Sequence, residues 1–341
     1  MRSVSRSTLS HASVAVVSAV SAVSAVSAVF AALSSTVQAQ TYPSRPIRFV
    51  TPFGQGGNAD IVTRVIGEGM SKSLGQPMLV DNRPGGSSTI GSNIVARATP
   101  DGYTIMLISS SHAVNASLFG KALPYDTVKD FAPIGMTGAT PILVVIHPGL
   151  GVSSIKELIA LAKARPGTIN YASSGNGSPA HLAGALLDAL GDIKTVHIPY
   201  KTTAQAMNDN ISGQVQMAYP AQSSVFAHIK SGKLRALAIT STRRSKLTPD
   251  IPTVAETLPG YQGSIWNGVL TTAGTPRTVI TRLNTELVKA LNTPEVSNKL
   301  TGMGVEIETS TPQEFGAFID AEIRKWARVI QEGNIKVEMG R

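Results

Sequence analysis

From Ile47 to Thr240 the chain alternates short apolar runs with segments whose apolar residues recur every three or four positions. The runs at residues 47–51, 78–80 and 104–108 read as strands, and residues 59–74 and 88–98 between them as helices. In the first helix Val62, Val65 and Ile66 share one face, and Asn58 is placed to cap its start. A second series follows. Strands are expected at 142–146, 169–172, 195–198, 215–218 and 234–240. The helices between them are expected at 181–190, 204–211 and near 225–230, after one that runs through Lys163 from the capping-box spacing Ser154-x-x-Glu157. Such alternation predicts an α/β fold of mostly parallel sheets covered by helices.

The last third changes character. Thr275-Pro276 is a cap followed by a first-turn proline, and Val279, Ile280, Leu283, Leu287 and Leu291 form a helical stripe. Thr311-Pro312-Gln313-Glu314 repeats the signal with a capping box, ahead of a stripe of Phe315, Phe318, Ile319, Ile323, Trp326 and Ile330. Two helices without intervening strands suit packing back onto an earlier sheet. The loop-rich passages 138–141 and 258–268 are the expected crossovers between two lobes. A cleft between the lobes would be lined by strand-to-helix turns, where open sheets bind ligands.

The N-terminus and the composition narrow the class. Arg2 and Arg6 precede an Ala/Val/Ser run over residues 12–33, and Val37-Gln38-Ala39 offers small residues for cleavage. Residues 1–39 are therefore read as an export signal removed near Ala39, which places the mature protein in the periplasm. The remaining chain is long enough for two lobes. Cysteine is absent from the 341 residues, which excludes a disulfide framework and thiolate chemistry. The net charge of +9 comes without a long basic run or many aromatics, so it favours attraction of small anions and argues against nucleic acid.

The turns carry the candidate chemistry. Phe53-Gly54-Gln55-Gly56-Gly57-Asn58-Ala59 joins the first strand to the first helix, whose start carries unpaired N–H groups and a partial positive charge. Gly56, Gly57, Asn58 and Ala59 would present amides to a carboxylate there. No Gly-Lys-Ser/Thr follows, so this is not a Walker loop, and the spacing misses the dinucleotide fingerprint. Asp60 is assigned a structural role, because a second negative charge would repel an anion. Ser173, Ser174, Gly177 and Ser178 form a comparable turn in the second series. The relaxed match Gly175-x-Gly177-x-x-Ala180 lacks an acidic ribose partner, so anion cradling is preferred there to nucleotide binding. Ser109, Ser110, Ser111 and Asn115 follow the third strand, and any ligand contact from Ser87 or Ser88 is left open. His112 and His181 are the nearest candidates for a charged contact, with a hydrogen-bonded structural role as the alternative for each. Phe53, Tyr200, Tyr219 and Trp266 are candidates for the pocket wall or for packing.

Five segments, taken in order, resemble one family. They are PFGQGGNADIVTR at 52–64, DNRPGGSSTIGSNIVARATPDGYT at 81–104, YASSGNGSPAHLAG at 171–184, IPYK at 198–201 and WNGVLTTAGTP at 266–276. They are similar to the extracytoplasmic substrate-binding proteins of tripartite tricarboxylate transporters, the Bug family. The resemblance implies a two-lobed, type II periplasmic-binding-protein fold of the Venus-flytrap kind. It also implies a small carboxylate ligand, no cofactor, no metal and no catalysis, and membrane transporter subunits as partners of a monomer. Lobe 1 would span 40–140, lobe 2 141–262, and 263–341 would return to lobe 1. Two departures stand out: Ala59 lacks the threonine hydroxyl usual in the first turn, and Tyr219-Pro220 replaces a frequent Phe-Asp. The missing acid disfavours an α-amino acid and leaves mono- and dicarboxylates ahead.

An exported hydrolase of small esters or amides is the competing class. Serines, histidines and acids are all present, but no G-x-S-x-G elbow occurs. Ser153-x-x-Lys156 lacks its accompanying motifs, and the Ser154 cap explains it without chemistry.

Overall fold

The computed structural model describes residues 42–200, 202–246, 248–333 and 335, and the fold below is that of the unit Arg45–Arg341. The expected export signal, residues 1–39, lies outside the described residues.

Strand β1 (Ile47–Thr51) buries Ile47, Phe49 and Val50, as a strand covered on both faces must. Helix α1 (Asn58–Leu74) lays Val62, Ile66, Met70 and Leu74 against it and stops at Gly75, whose left-handed backbone returns its N–H to Ser71. The series continues through β2 (Met78–Asn82), α2 (Thr89–Ala96), β3 (Thr104–Ser109), α3 (Ser111–Leu118) and β4 (Phe131–Thr140). The second sheet begins at β5 (Leu143–Ile146). Helix α4 (Ile155–Ala164) follows, its Glu157 amide donating to Ser154 Oγ at 3.2 Å. The Glu157 carboxylate accepts from the Ser153 amide instead of completing the expected capping box. Then come β6 (Asn170–Ser173), α5 (Pro179–Gly191), β7 (Val196–Pro199), α6 (Thr203–Ser212), β8 (Met217–Ala218), α7 (Gln222–Lys230) and β9 (Arg235–Ile239). Strand β10 (Ile265–Thr272) returns to the first sheet, and α8 (Arg277–Leu291), α9 (Pro294–Gly302) and α10 (Pro312–Glu332) complete the chain.

The two sheets have matching topology, β2-β1-β3-β10-β4 and β7-β6-β8-β5-β9. In each, the first three strands pair parallel and the fourth runs antiparallel to both neighbours. The sheets are therefore mixed. The odd strand in each is the one that has just crossed over, β5 arriving from β4 and β10 arriving after β9. A chain that crosses at the sheet edges enters its new sheet against the local direction.

Strands β4 and β10 extend through passages expected to be loops. Their glycines hide the strand pattern and are needed for close approach. A Cβ on Gly268 would lie 2.0 Å from Phe315 Cζ of α10, and one on Gly138 would lie 2.5 Å from the Glu306 carbonyl oxygen. The crossovers thus narrow to residues 141–142 and 240–264, and the two are stitched together. The Ile142 amide donates to Thr240 Oγ1 at 3.1 Å, and the Thr240 amide donates to the Ile142 carbonyl at 2.9 Å.

Helix α10 carries the expected stripe and reciprocal capping box, Thr311 and Glu314 each bonding the other's amide. It packs on β4 and α3 and reaches α5 of the second sheet. Helix α9 was not expected; it is short and buries only Val296 and Leu300 as large apolar residues, although Thr293-Pro294 is the same start signal.

Candidate functional site

The turn after β1 is organised by Asp60. The residue is 2% exposed, and its carboxylate accepts from the Gly56 amide at 2.8 Å, Asn82 Nδ2 at 2.9 Å and Arg64 Nε at 3.1 Å. Burial alone would raise this carboxyl, but the three donors outweigh it and hold it below the usual carboxylate value. Two expectations change here. The helix cap is Gly57, with no side-chain cap bond, and Asn58 is the first helical residue. The Gly56 amide is engaged by Asp60 and the Gly57 amide faces the Gly54 carbonyl at 3.4 Å, so the first helical turn at Asn58 and Ala59 carries the unpaired amides. Gly54 to Asn58 stand exposed at the rim.

Beside them the turn after β2 is held in an uncommon conformation. Gly85, Gly86, Ser87 and Ser88 have φ of 122°, 54°, 54° and 75° in succession. Non-glycine residues held outside favoured regions cost on the order of 1–3 kcal/mol each, and such strain clusters at ligand sites. Asn115 on α3 fixes the turn, donating from Nδ2 to the Ser87 carbonyl at 2.7 Å and Ser88 Oγ at 3.3 Å. After β3, Ser109 and Ser111 pair through their hydroxyls at 2.9 Å, and the Ser110 amide donates to the Trp266 carbonyl at 3.0 Å. Ser109 and Ser110 are both buried.

These turns bound a cavity of about 310 Å³ whose lining includes Phe53, Ser87, Ser88, Ser111 and Asn115 of the first sheet's connections and Asn176 and Gly177 of the second's. Hydroxyl, amide and apolar groups line it, and among the described residues no acidic side chain does.

In the second sheet, the turn after β6 is closed by Ser173, whose Oγ lies 3.0 Å from both the carbonyl oxygen and the amide of Gly175. Ser178 caps α5, its Oγ accepting from the His181 amide at 3.3 Å, while His181 Nδ1 accepts from the Gly177 amide at 3.0 Å. The His181 ring stacks on His197 at 3.8 Å and 5°, and His197 Nε2 lies 2.5 Å from Ser173 Oγ. Burial pulls both histidines down to about 4, and the neighbouring His181 ring adds to the fall at His197. They are neutral packing and hydrogen-bonding groups, which gives His181 its structural reading. His112 is likewise buried, bonded to the Thr127 carbonyl at 2.9 Å and held near 4 by desolvation.

The contact between Ser173 and His197 invites comparison with a nucleophile and base. That chemistry needs an acid orienting the second ring nitrogen. Among the described residues no carboxylate hydrogen-bonds His197. Asp188, raised to about 6 by burial, accepts from the Thr195 amide and hydroxyl.

A second cavity, of about 280 Å³, opens beyond Ser173 and Ser174 and is walled by Tyr219, Met207 and Ile142. The structure thus gathers Phe53 and Gly177 at one cavity and Ser173, Ser174 and Tyr219 at the other. Gly56, Gly57, Asn58, Ala59, Ser109, Ser110, Ser178, His181, Tyr200 and Trp266 are in the lining of neither. Tyr200 donates to Asp209 at 2.7 Å, and burial together with that carboxylate pushes its hydroxyl up to about 12. Trp266 is 2% exposed, packs edge-on against Phe315 and Phe318, and donates from Nε1 to Glu322 Oε2 at 2.8 Å. Asn176, Met207 and His197 were not singled out from sequence. The Gly-Asn-Gly turn was a usable signal for the first; nothing local distinguished the other two.

Two sheets of matching topology, joined by stitched crossovers and sharing a turn-lined cavity, define a two-lobed small-molecule binding protein. Residues 62–335 match the Tripartite tricarboxylate transporter family receptor, TctC. BugT of Bordetella pertussis is 38% identical over 309 residues, covering 90% of this chain and 94% of its own. A TctC solute-binding protein from Polaromonas superposes with a TM-score of 0.79 at 27% identity, covering 86% of this chain and all of that one. MatC from Rhodopseudomonas palustris, solved with bound malate, gives 0.67 at 29% identity over 85% of this chain and 100% of its own. A further R. palustris protein, solved with adipate, gives 0.69 at 30% identity over 86% and 99%. The chain belongs to the tripartite tricarboxylate transporter receptor family.

Proposed function

We propose that this protein is a periplasmic receptor that captures a small carboxylate between two lobes and releases it chemically unchanged. On this reading the described residues from Arg45 to Thr140 and from 263 onward make lobe 1, and those within 141–262 make lobe 2. The observation that carries this reading is the cavity bounded by turns of both sheets, supplied with hydroxyl and amide groups and free of acidic side chains in its lining. Carboxylates bound by MatC and the adipate-binding relative support the ligand class. On this reading the amides of Asn58 and Ala59, the strained Ser87-Ser88 turn and Asn176 surround the carboxylate, with Gly57 at the entrance. Micromolar affinity corresponds to about −8 kcal/mol, and hydrogen bonds to a charged group contribute roughly 1.5–3 kcal/mol each. A handful of such bonds reaches that range after ordering costs. The protein works as a monomer that delivers its ligand to membrane subunits of a tripartite transporter. Isothermal titration with mono- and dicarboxylates, followed by mass spectrometry of the recovered ligand, tests the proposal. Stoichiometric binding of an unmodified acid is expected; conversion of the acid, or no binding across the panel, would overturn it.

A further inference from the structure

The segment between β6 and α5 carries Asn176 and Gly177 into the lining of the turn-lined cavity. Gly175 and Gly177 flank Asn176 with φ of 119° and 74°, so neither position has a side chain that could hold the turn by packing. One bond closes it from within, the Ser178 amide donating to the Gly175 carbonyl at 3.2 Å. Two rings anchor it from outside. His181 Nδ1 accepts from the Gly177 amide at 3.0 Å, and His197 Nε2 meets Ser173 Oγ at 2.5 Å, at the end of β6. The rings are joined to each other, 3.8 Å apart and 5° from parallel. Tyr171 fixes both, its hydroxyl donating to the His181 carbonyl at 3.2 Å and its ring lying 5.1 Å from His197.

The bond at Gly177 sets a chemical condition. An amide can donate only to a bare ring nitrogen, so His181 Nδ1 must carry no proton, and burial keeps the ring neutral. Behind the pair lies a cavity of about 440 Å³ whose lining includes Asp188, Lys194 and Glu332. Among the described residues neither of those carboxylates hydrogen-bonds a ring, so the pair is arranged for support and not for proton transfer. His181 is also absent from the lining of the turn-lined cavity, so it reaches a ligand there only through the turn. Resting on the receptor reading above, we propose that His181 is a positioning residue of the carboxylate site: stacked on His197, it holds the Gly177 amide and so presents Asn176 and Gly177 in the geometry that receives the ligand. A turn left without this bond must be ordered when the ligand arrives, and that ordering is subtracted from affinity.

The test separates support of the turn from support of the fold, using the full mature protein. His181→Leu keeps an apolar side chain in the buried site and removes the acceptor; His181→Asn puts a carbonyl oxygen where Nδ1 stood. Without ligand, amide exchange read by mass spectrometry should speed up across residues 174–178 in His181→Leu and return toward the parent in His181→Asn. Calorimetry with malate and adipate, the acids held by the two R. palustris relatives, should show an affinity loss of about five- to tenfold in His181→Leu, the scale of one hydrogen bond, and recovery of most of it in His181→Asn. Melting curves run alongside, because a purely structural histidine would lower affinity in step with stability in both variants. Unchanged exchange in folded His181→Leu, or an equal affinity loss in the two variants, would overturn the proposal. Should His181→Leu fold poorly, His197→Leu against His197→Gln makes the same comparison at Ser173, with the same outcomes expected. No binding of either acid by the parent would overturn the receptor reading, while the exchange result still decides whether His181 holds the turn.

Discussion

Replacing Glu322 by alanine should cost about 3–5 kcal/mol of stability, and the reasoning can be followed atom by atom. Glu322 is 3% exposed on α10. Its Oε2 accepts from both tryptophans of the chain, Trp266 Nε1 at 2.8 Å and Trp326 Nε1 at 3.0 Å, while Oε1 pairs with Lys325. Lys325 is itself largely buried and donates to the Gln262 carbonyl at 2.8 Å, which ties α10 to the returning crossover. Burial lowers the Lys325 ammonium pKa, and the Glu322 carboxylate opposes that fall. Truncation leaves a buried cation without its anion, worth about 3–5 kcal/mol, and two indole N–H groups without an acceptor at about 1–3 kcal/mol each. These losses share one cavity that water can enter, so they overlap instead of adding. Glu322→Gln keeps an acceptor for the indoles and the shape but still removes the anion beside Lys325, so it should cost less than alanine while remaining clearly destabilising. Adding Lys325→Met to that variant should recover part of the loss, because an apolar replacement removes the stranded charge. Urea titration followed by tryptophan fluorescence reads both the stability and the environment of the two indoles. A loss below about 1 kcal/mol for Glu322→Ala would refute the claim that this carboxylate anchors the crossover.

Acid should destabilise the protein through its neutral histidines. His112, His181 and His197 are held near 4 against an ordinary value of 6.5, so the stability they represent is complete above pH 6.5 and is lost as pH falls toward 4. Asp188, raised to about 6, acts in the opposite sense over part of that window, and three groups outweigh one. For fully buried His112 the contribution is about 3 kcal/mol, and urea midpoints of His112→Gln should fall less steeply between pH 6.5 and 4.5 than those of the parent. Gly57→Phe should weaken carboxylate binding with little change in stability, because the nearest atom to an added Cβ is the Gly54 carbonyl oxygen at 3.4 Å; calorimetry and a melting curve separate the two. Gly268→Ala should cost about 1–3 kcal/mol or more from overpacking against Phe315, read by urea denaturation.

What the sequence made legible was local. The capping box at Thr311, the stripe on α10 and the strand-to-helix alternation each follow from side chains a few residues apart, and each appears where the pattern placed it. Strands β4 and β10 were hidden because Gly138 and Gly268 answer to Glu306 and Phe315, partners distant in sequence. The antiparallel strands follow from how the chain changes sheets, which no window of residues records. At the candidate site the glycine- and serine-rich turns were visible as turns, but which amides they leave open was not. Asp60 engages Gly56 from four residues away, and Asn115 fixes Ser87 from the far side of β3. Trp266 looked like a pocket wall because its buried partner, Glu322, lies on a helix that sequence alone cannot dock.

The most direct measurement is a crystal structure of the mature protein grown with a small carboxylate that binds it in calorimetry. The acid is expected between the two sheets, its carboxylate within hydrogen-bonding distance of the Ser87-Ser88 turn or the first turn of α1. An acid bound outside the cleft, or turns of the two sheets packed together with no room between them, would contradict capture between two lobes.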